Sequence, residues 1–253
     1  MAAVHPTSMR SNTKGFIPSR PWAALCVLSM AMTLTAEIKA DAVHSFRGDA
    51  YDLKTGAFVY SENHTAFHKG KDHIYSRVSY RDKTGHEFAS KLITFAPVKT
   101  QPTYELNDVR DGYMEGIRRE GGKTIYYARR ARDQQTKSKA VSAPQPAVFD
   151  AGFDYFVQEH FDAVCAGNNK SFYFAVPVEL DYFKFRIARK SISDVCHVYL
   201  ELDNVLLRQV VKPIKLWYDM AKRRLIKYEG ISNINGSDGK SMYVRVVFTY
   251  QDK

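Results

Sequence analysis

Residues 57–95 read AFVYSENHTAFHKGKDHIYSRVSYRDKTGHEFASKLITF. Three alternating runs are separated by two turns. Ala57 to Thr65 places Phe58, Tyr60, Glu62 and His64 on one face. Ile74 to Tyr80 places Ile74, Val78 and Tyr80 on one face, and Glu87 to Phe95 forms a third run. A period of two is the spacing of a strand, whose successive side chains point to opposite faces. Lys69-Gly70-Lys71-Asp72 and Asp82-Lys83-Thr84-Gly85 are built from residues that favour turns. Short turns join antiparallel neighbours, so this stretch predicts a meander of hairpins.

The pattern continues toward the C-terminus. Thr103–Leu106, Tyr113–Arg118 and Thr124–Arg129 read as shorter strands, with Gly121-Gly122 as the tight turn between the last two. Asp133 to Ala147 is polar and aperiodic and reads as a linker near 133–147. One helix follows. Phe149, Phe153, Phe156, Val157, His160 and Val164 recur at spacings of three and four, Asp150 stands where a cap belongs, and Gly167-Asn168-Asn169 ends the pattern. Phe172–Val176, Tyr182–Ala188, Val195–Leu202, Val210–Tyr218, Arg224–Tyr228 and Met242–Tyr250 return to strand patterning. About a dozen strands with no βαβ alternation predict a mainly β (α+β) fold. Its form is a large curved antiparallel sheet or half-barrel with one principal helix packed on it. Tyr51-Asp52 before Lys54-Thr55-Gly56 is echoed by Tyr218-Asp219 before Lys222-Arg223, which is either a repeat or ordinary hairpin chemistry.

Toward the N-terminus the pattern stops. Trp22 to Leu34 is an apolar run preceded by Arg10, Lys14 and Arg20, and Ala40-Asp41-Ala42 follows as a small-residue cleavage site. The run is shorter than the ~20 apolar residues of a spanning helix. Export with cleavage after Ala42 is therefore expected, a cut after Ala36 being the second choice. This divides the chain into a signal segment, 1–42, and one β-rich envelope domain, 43–253. Of 253 residues, 45% are hydrophobic, too many for a disordered chain. The formal charge is +10, and removing residues 1–42, with four basic and two acidic groups, leaves +8. Basicity thus belongs to the mature chain. Cys165 and Cys196 remain, a pair that one disulfide joins in an oxidising compartment or that stays as two small buried thiols.

The export segment, the many-stranded meander and the helix between two strand sets occur together. So does a late hairpin, Trp217-Tyr218-Asp219 to Leu225-Ile226-Lys227-Tyr228-Glu229-Gly230. In this the chain resembles periplasmic proteins of unknown function of the DUF3108-like group. More distantly it is similar to the LolA/LolB-type half-barrel carriers of outer-membrane lipoproteins. The latter resemblance implies a curved sheet enclosing an apolar cavity for acyl chains, and it transfers no individual residue.

Several constellations bear on chemistry. His64, His68 and His73 with Asp72 flank one hairpin turn, but their spacing matches no metal signature, so no metal and no cofactor is expected. There is no G-x-S-x-G elbow and no phosphate-cradling loop. Cys196 and His197 point to opposite strand faces. Glu179 with Asp181, or Glu201 with Asp203, are the carboxylate pairs a glycoside hydrolase would need. Arg118, Arg119, Lys123, Arg129, Arg130 and Arg132 crowd one stretch, extended by Lys137 and Lys139, with Tyr126 and Tyr127 among them. In an exported protein this points away from nucleic acid and toward an anionic envelope surface. Phe153, Phe156, Phe172, Phe174, Phe183 and Phe185 are the candidate lining of a cavity for a lipid or amphiphile, the competing reading being core packing. The expected function is non-enzymatic binding or carriage of an amphiphile in the envelope. The alternatives are a ligand-free interaction protein in envelope assembly and a hydrolase of envelope glycans or lipids.

Overall fold

A computed structural model describes residues 40–236 and 239–251. Residues 1–39, which hold the apolar run and most of the expected signal segment, lie outside the described residues. Fifteen strands form one sheet: β1 (Ala42–Asp52), β2 (Phe58–Lys69), β3 (Asp72–Arg81), β4 (Glu87–Thr94), β5 (Thr103–Asp108), β6 (Met114–Glu120), β7 (Lys123–Arg129), β8 (Lys137–Ala140), β9 (Ala147–Val148), β10 (Lys170–Val176), β11 (Asp181–Ile192), β12 (Val195–Leu202), β13 (Ile214–Asp219), β14 (Arg224–Asn235) and β15 (Ser241–Tyr250). The principal helix, α1 (Gly152–Cys165), lies between β9 and β10, and a short helical turn, α2 (Leu207–Val210), lies between β12 and β13.

The strand order is 8-7-6-5-4-3-2-1-15-14-13-12-11-10-9. Every neighbour is antiparallel except β9 and β10. Two sequential meanders are thus joined where β1 pairs with β15, Phe46 opposite Tyr250 and Asp52 opposite Val244. The fold is the expected curved antiparallel sheet with one main helix. It is not closed, because the edge strands β8 and β9 do not pair with each other. Their connection crosses the gap. Because the strands alternate in direction, their ends form two rims. The rim at which β1 finishes is called upper, and the rim at which β6 turns into β7 is called lower.

Turn chemistry sets the local register. Gly121 and Gly122 have φ of 54° and 76°, and Glu120 pairs with Lys123. Two consecutive positive φ values make the two-residue hairpin whose twist matches its strands. At the β1–β2 turn, Asp52 Oδ1 accepts from the Thr55 amide at 2.7 Å, and Asp219 Oδ1 accepts from the Lys222 amide at 2.8 Å. The echo between these two turns is one of turn chemistry.

The stretch 133–147 departs from a linker. It contains β8 and the first residue of β9, and Val141 and Ala147 are buried in the core. Its polarity reflects edge position, since β8 is exposed along its whole length.

The core has two parts. One packs the interior of the meander with Tyr60, Tyr80, Tyr104, Tyr113, Leu106, Ile117 and Phe149. The other packs α1 against β10–β13 through Phe156, Val157, Phe161, Val164, Phe172, Val198 and Leu216. Cys165 closes α1 and is joined to Cys196 of β12 by a disulfide, with Cα atoms 5.8 Å apart. The helix C-terminus is also held by Arg189, whose Nη1 donates to the Cys165 carbonyl at 2.9 Å. Asp150 does not cap α1. Ala151 takes the cap position without a side-chain bond. Asp150 adopts φ of 40° and turns its carboxylate into the sheet interior.

Candidate functional site

The strands that carry the basic stretch divide it. β7 has seven residues, a span of roughly 20 Å, so its two ends lie on opposite rims. At the upper rim, Arg129 Nε donates to the Gly112 carbonyl at 2.9 Å. Arg130 donates to the Val178 carbonyl at 3.0 Å and pairs with Glu179 at 2.8 Å. Arg132 donates to the Val109 carbonyl at 2.6 Å. These three guanidinium groups hold turns together, and the Arg130 contacts bridge the unpaired seam.

Arg118, Arg119 and Lys123 lie at the lower rim. Arg118 and Arg119 are consecutive in β6 and point to opposite faces. Arg118 pairs with Glu120 at 3.1 Å and stands 5.0 Å from the Tyr127 ring. With Lys123 and Lys139 it borders an open depression of about 490 Å³ on the outside of β6–β8. Arg119 faces the seam. Its guanidinium stands 5.6 Å from the Phe149 ring, and its Nη1 donates to Thr124 Oγ1.

Between the β8 edge and the β9 edge is a cleft of about 400 Å³. Arg119, Lys123 and Thr124 line one side, Gln145, Ala147 and Phe149 the other, with Gln101 at the floor of the rim and Val141–Ala143 crossing between. It contains two cations and several neutral hydrogen-bonding groups, with the buried Phe149 ring beneath Arg119 at its base, and its lining has no carboxylate, histidine or cysteine. This composition suits an anion attached to an apolar group. The hydroxyl of Tyr126 is buried without a hydrogen-bond partner. The Tyr126 ring packs edge-on against Phe149 at 5.9 Å. A buried hydroxyl without a partner is uncommon, and this one lies one ring behind the cleft wall.

The phenylalanines singled out from sequence lie elsewhere, around α1. Phe153 and Phe156 approach Phe172 at 5.7 and 4.6 Å between ring centroids, and Phe174 approaches Phe172 and Phe185 at 6.3 and 6.0 Å. Phe172 and Phe156 are buried in the helix–sheet core. Five rings thus pack on one another, while Phe183 is exposed on β11.

Of the carboxylate pairs, Glu179 meets Arg130 at 2.8 Å and Asp181 accepts from the Tyr182 amide at 2.9 Å, while Glu201 and Asp203 are both paired with cations. Glu201 accepts from Arg186 at 2.7 Å and meets Arg208 at 3.3 Å. Asp203 meets Lys184 and Ser171, each at 3.0 Å. Burial raises the Asp203 carboxyl, but Lys184 and Ser171 outweigh it and hold the group below its usual range. A general acid needs the opposite shift. His68 and His73 face each other across their turn and stack at 4.7 Å, while His64 stacks on Phe46 at 4.2 Å. Among the described residues no group of three His, Cys, Asp or Glu side chains has metal-holding geometry.

Sequence reading missed a polar cluster inside the meander. Lys91 is 5% exposed, and its Nζ lies 2.7 Å from Asp150 Oδ1. Glu115 accepts from Tyr113 Oη at 2.9 Å and is reached by Tyr104 Oη at 3.5 Å. Burial pulls the Lys91 ammonium down, but Asp150, Glu115 and Glu62 outweigh it and hold it above its usual range. Burial pushes the Glu115 carboxyl up, against the pull of Lys91 and Tyr113. One signal was available. Lys91 shares its strand face with the buried Ala89 and Ile93, and Glu115 shares its face with Tyr113 and Ile117.

No family model matches this chain, and no curated protein matches it. It is similar in structure to a beta-barrel-like protein of the domain of unknown function DUF1849 from Brucella abortus. The identity is 8% and the TM-score 0.42, over 83% of this chain and 97% of that one. That protein is neither DUF3108-like nor a LolA/LolB-type carrier.

Proposed function

We propose that the protein is an exported, non-enzymatic binding protein of the cell envelope, and that it takes an anionic amphiphile at the seam of its sheet. The observation that carries this reading is the convergence of Arg119, Lys123 and the Phe149 ring on one cleft, at the place where the sheet lacks backbone pairing. A phosphate or carboxylate head would lie between Arg119 and Lys123, and its apolar part would lie along Ala140 and Ala143, which are accessible in the lining. A volume of about 400 Å³ suits a small amphiphile. The space around α1 is filled by its own phenylalanines, so the seam is the better place for the ligand. The Cys165–Cys196 disulfide supports export, because such bonds persist in oxidising compartments.

The test is calorimetric titration of the protein with a short-chain alkyl phosphate. Saturable binding is expected, weakened about tenfold or more by the double variant Arg119→Ala/Lys123→Ala and unchanged by Arg132→Ala at the far rim. Equal binding by parent and double variant would remove the cleft from consideration.

A further inference from the structure

The upper rim carries a second feature, independent of the cleft. The β12–β13 connection, residues 203–213, projects four aliphatic side chains into solvent. Val205 is 65% exposed, Leu206 75%, Val210 76% and Val211 46%. Scattered exposed aliphatic residues need no explanation, but four in one seven-residue stretch form a patch. The patch extends across the rim. Lys212, which follows Val211, places its ammonium 5.5 Å from the Tyr243 ring. Tyr243 pairs with Ile231, and its carbonyl accepts from the Leu53 amide at 3.0 Å. Leu53, Ile231 and Tyr243 are each more than two-fifths exposed.

The electrostatics around this patch favour an anionic partner. The acidic groups at the base of the loop are occupied: Asp203 by Lys184 and Ser171, Glu201 by Arg186 and Arg208. Lys54 stands exposed on the neighbouring β1–β2 turn, and Lys212 flanks the aliphatic tip. Aliphatic side chains at a projecting tip, with a tyrosine and lysines set back around them, match the layering of a bilayer surface. There the apolar groups reach the acyl boundary, while aromatic rings and ammonium groups stay at the headgroups.

We infer that the upper rim, through Val205, Leu206, Val210, Val211 and Lys212, seats on the surface of an anionic lipid bilayer. The contact is peripheral. The seam cleft is lined by residues of the opposite rim, so the inference does not depend on what the cleft binds.

The experiment is sedimentation with large unilamellar vesicles, using the protein in the form the cell accumulates. Vesicles of phosphatidylglycerol and phosphatidylethanolamine are compared with vesicles of phosphatidylcholine. The parent is expected to sediment with the anionic vesicles and at least tenfold less with phosphatidylcholine, the difference shrinking as salt rises. Leu206→Asp/Val210→Asp is expected to lose binding tenfold or more and Lys212→Glu severalfold, each with an unchanged melting temperature because the sites are exposed. Arg119→Ala/Lys123→Ala should bind vesicles like the parent, which separates this inference from the reading of the cleft. Three results would each overturn it: no preference for anionic vesicles, equal binding by Leu206→Asp/Val210→Asp, or a concentration-dependent dimer in place of vesicle binding that this variant abolishes.

Discussion

At the scale of single residues, the pair Lys91 and Asp150 is the least expected feature of the molecule. The two groups are 59 positions apart in the chain and 2.7 Å apart in space. An isolated buried charge is far more costly than a paired one. Lys91→Met therefore strands the Asp150 carboxylate and should destabilise the fold by about 3–5 kcal/mol, measured by urea unfolding. Lys91→Met/Asp150→Asn removes both charges, and asparagine tolerates the positive φ at 150. It should recover most of that loss, and failure to recover would show that the pair contributes more than mutual neutralisation. The neighbouring Glu115 shows the same economy, since its carboxylate is reached by two tyrosine hydroxyls. Strand phase could have marked both groups as buried, but it could not name their partners. An alternating strand is assigned by its majority of apolar positions, and a lysine within it looks like an error of phase until the opposite wall is known.

At the scale of elements, two of the ties between α1 and the sheet carry predictions. The first is the disulfide between Cys165 and Cys196, 31 residues apart. Closing such a loop restricts the unfolded chain, so Cys165→Ala/Cys196→Ala should destabilise by on the order of 3–4 kcal/mol. Denaturation of this variant and of the reduced parent should agree. The second tie joins β3 to α1. His73 Nδ1 lies 2.9 Å from Tyr155 Oη, and its Nε2 lies 2.7 Å from Ser76 Oγ. Burial, with His68 close by, pushes the His73 imidazole down to about 4 from 6.5. Between these values the unfolded chain binds a proton that the folded chain refuses, so acid favours unfolding. Urea midpoints should therefore hold steady above pH 7 and fall as pH drops from about 6.5 toward 4, with a shallower fall for His73→Gln. An unchanged slope in that variant would assign the acid sensitivity to other groups. Most strands and the position of α1 were legible from alternation and turn residues, because both signals are local. The boundaries were less so. β14 runs on to Asn235 beyond Tyr228, and β1 had no clear alternating pattern of its own, being defined by its two neighbours.

At the scale of the whole molecule, the decisive fact is where the sheet fails to close. β8 and β9 are edges, and the seam between them is bridged by side chains, Tyr126 on Phe149 and Arg130 on Glu179. That gap creates the cleft, and it assigns two of six singled-out basic residues, Arg119 and Lys123, to the cleft lining. The same topology sends Arg129, Arg130 and Arg132 to the opposite rim, where they hold backbone carbonyls. A run of basic residues in sequence is one patch only if the chain does not turn through a strand in between. By itself the sequence determined the class of fold, an antiparallel, mainly β chain with one helix, and its basic charge. Those properties follow from side-chain period and turn chemistry, which are local, and from composition, which is a sum that needs no contacts. Only the tertiary structure decided which strands are edges, which charges are buried and which cations share a cleft. The pairing of β1 with β15 and the meeting of Lys91 with Asp150 join distant segments, and such contacts depend on how the whole sheet rolls.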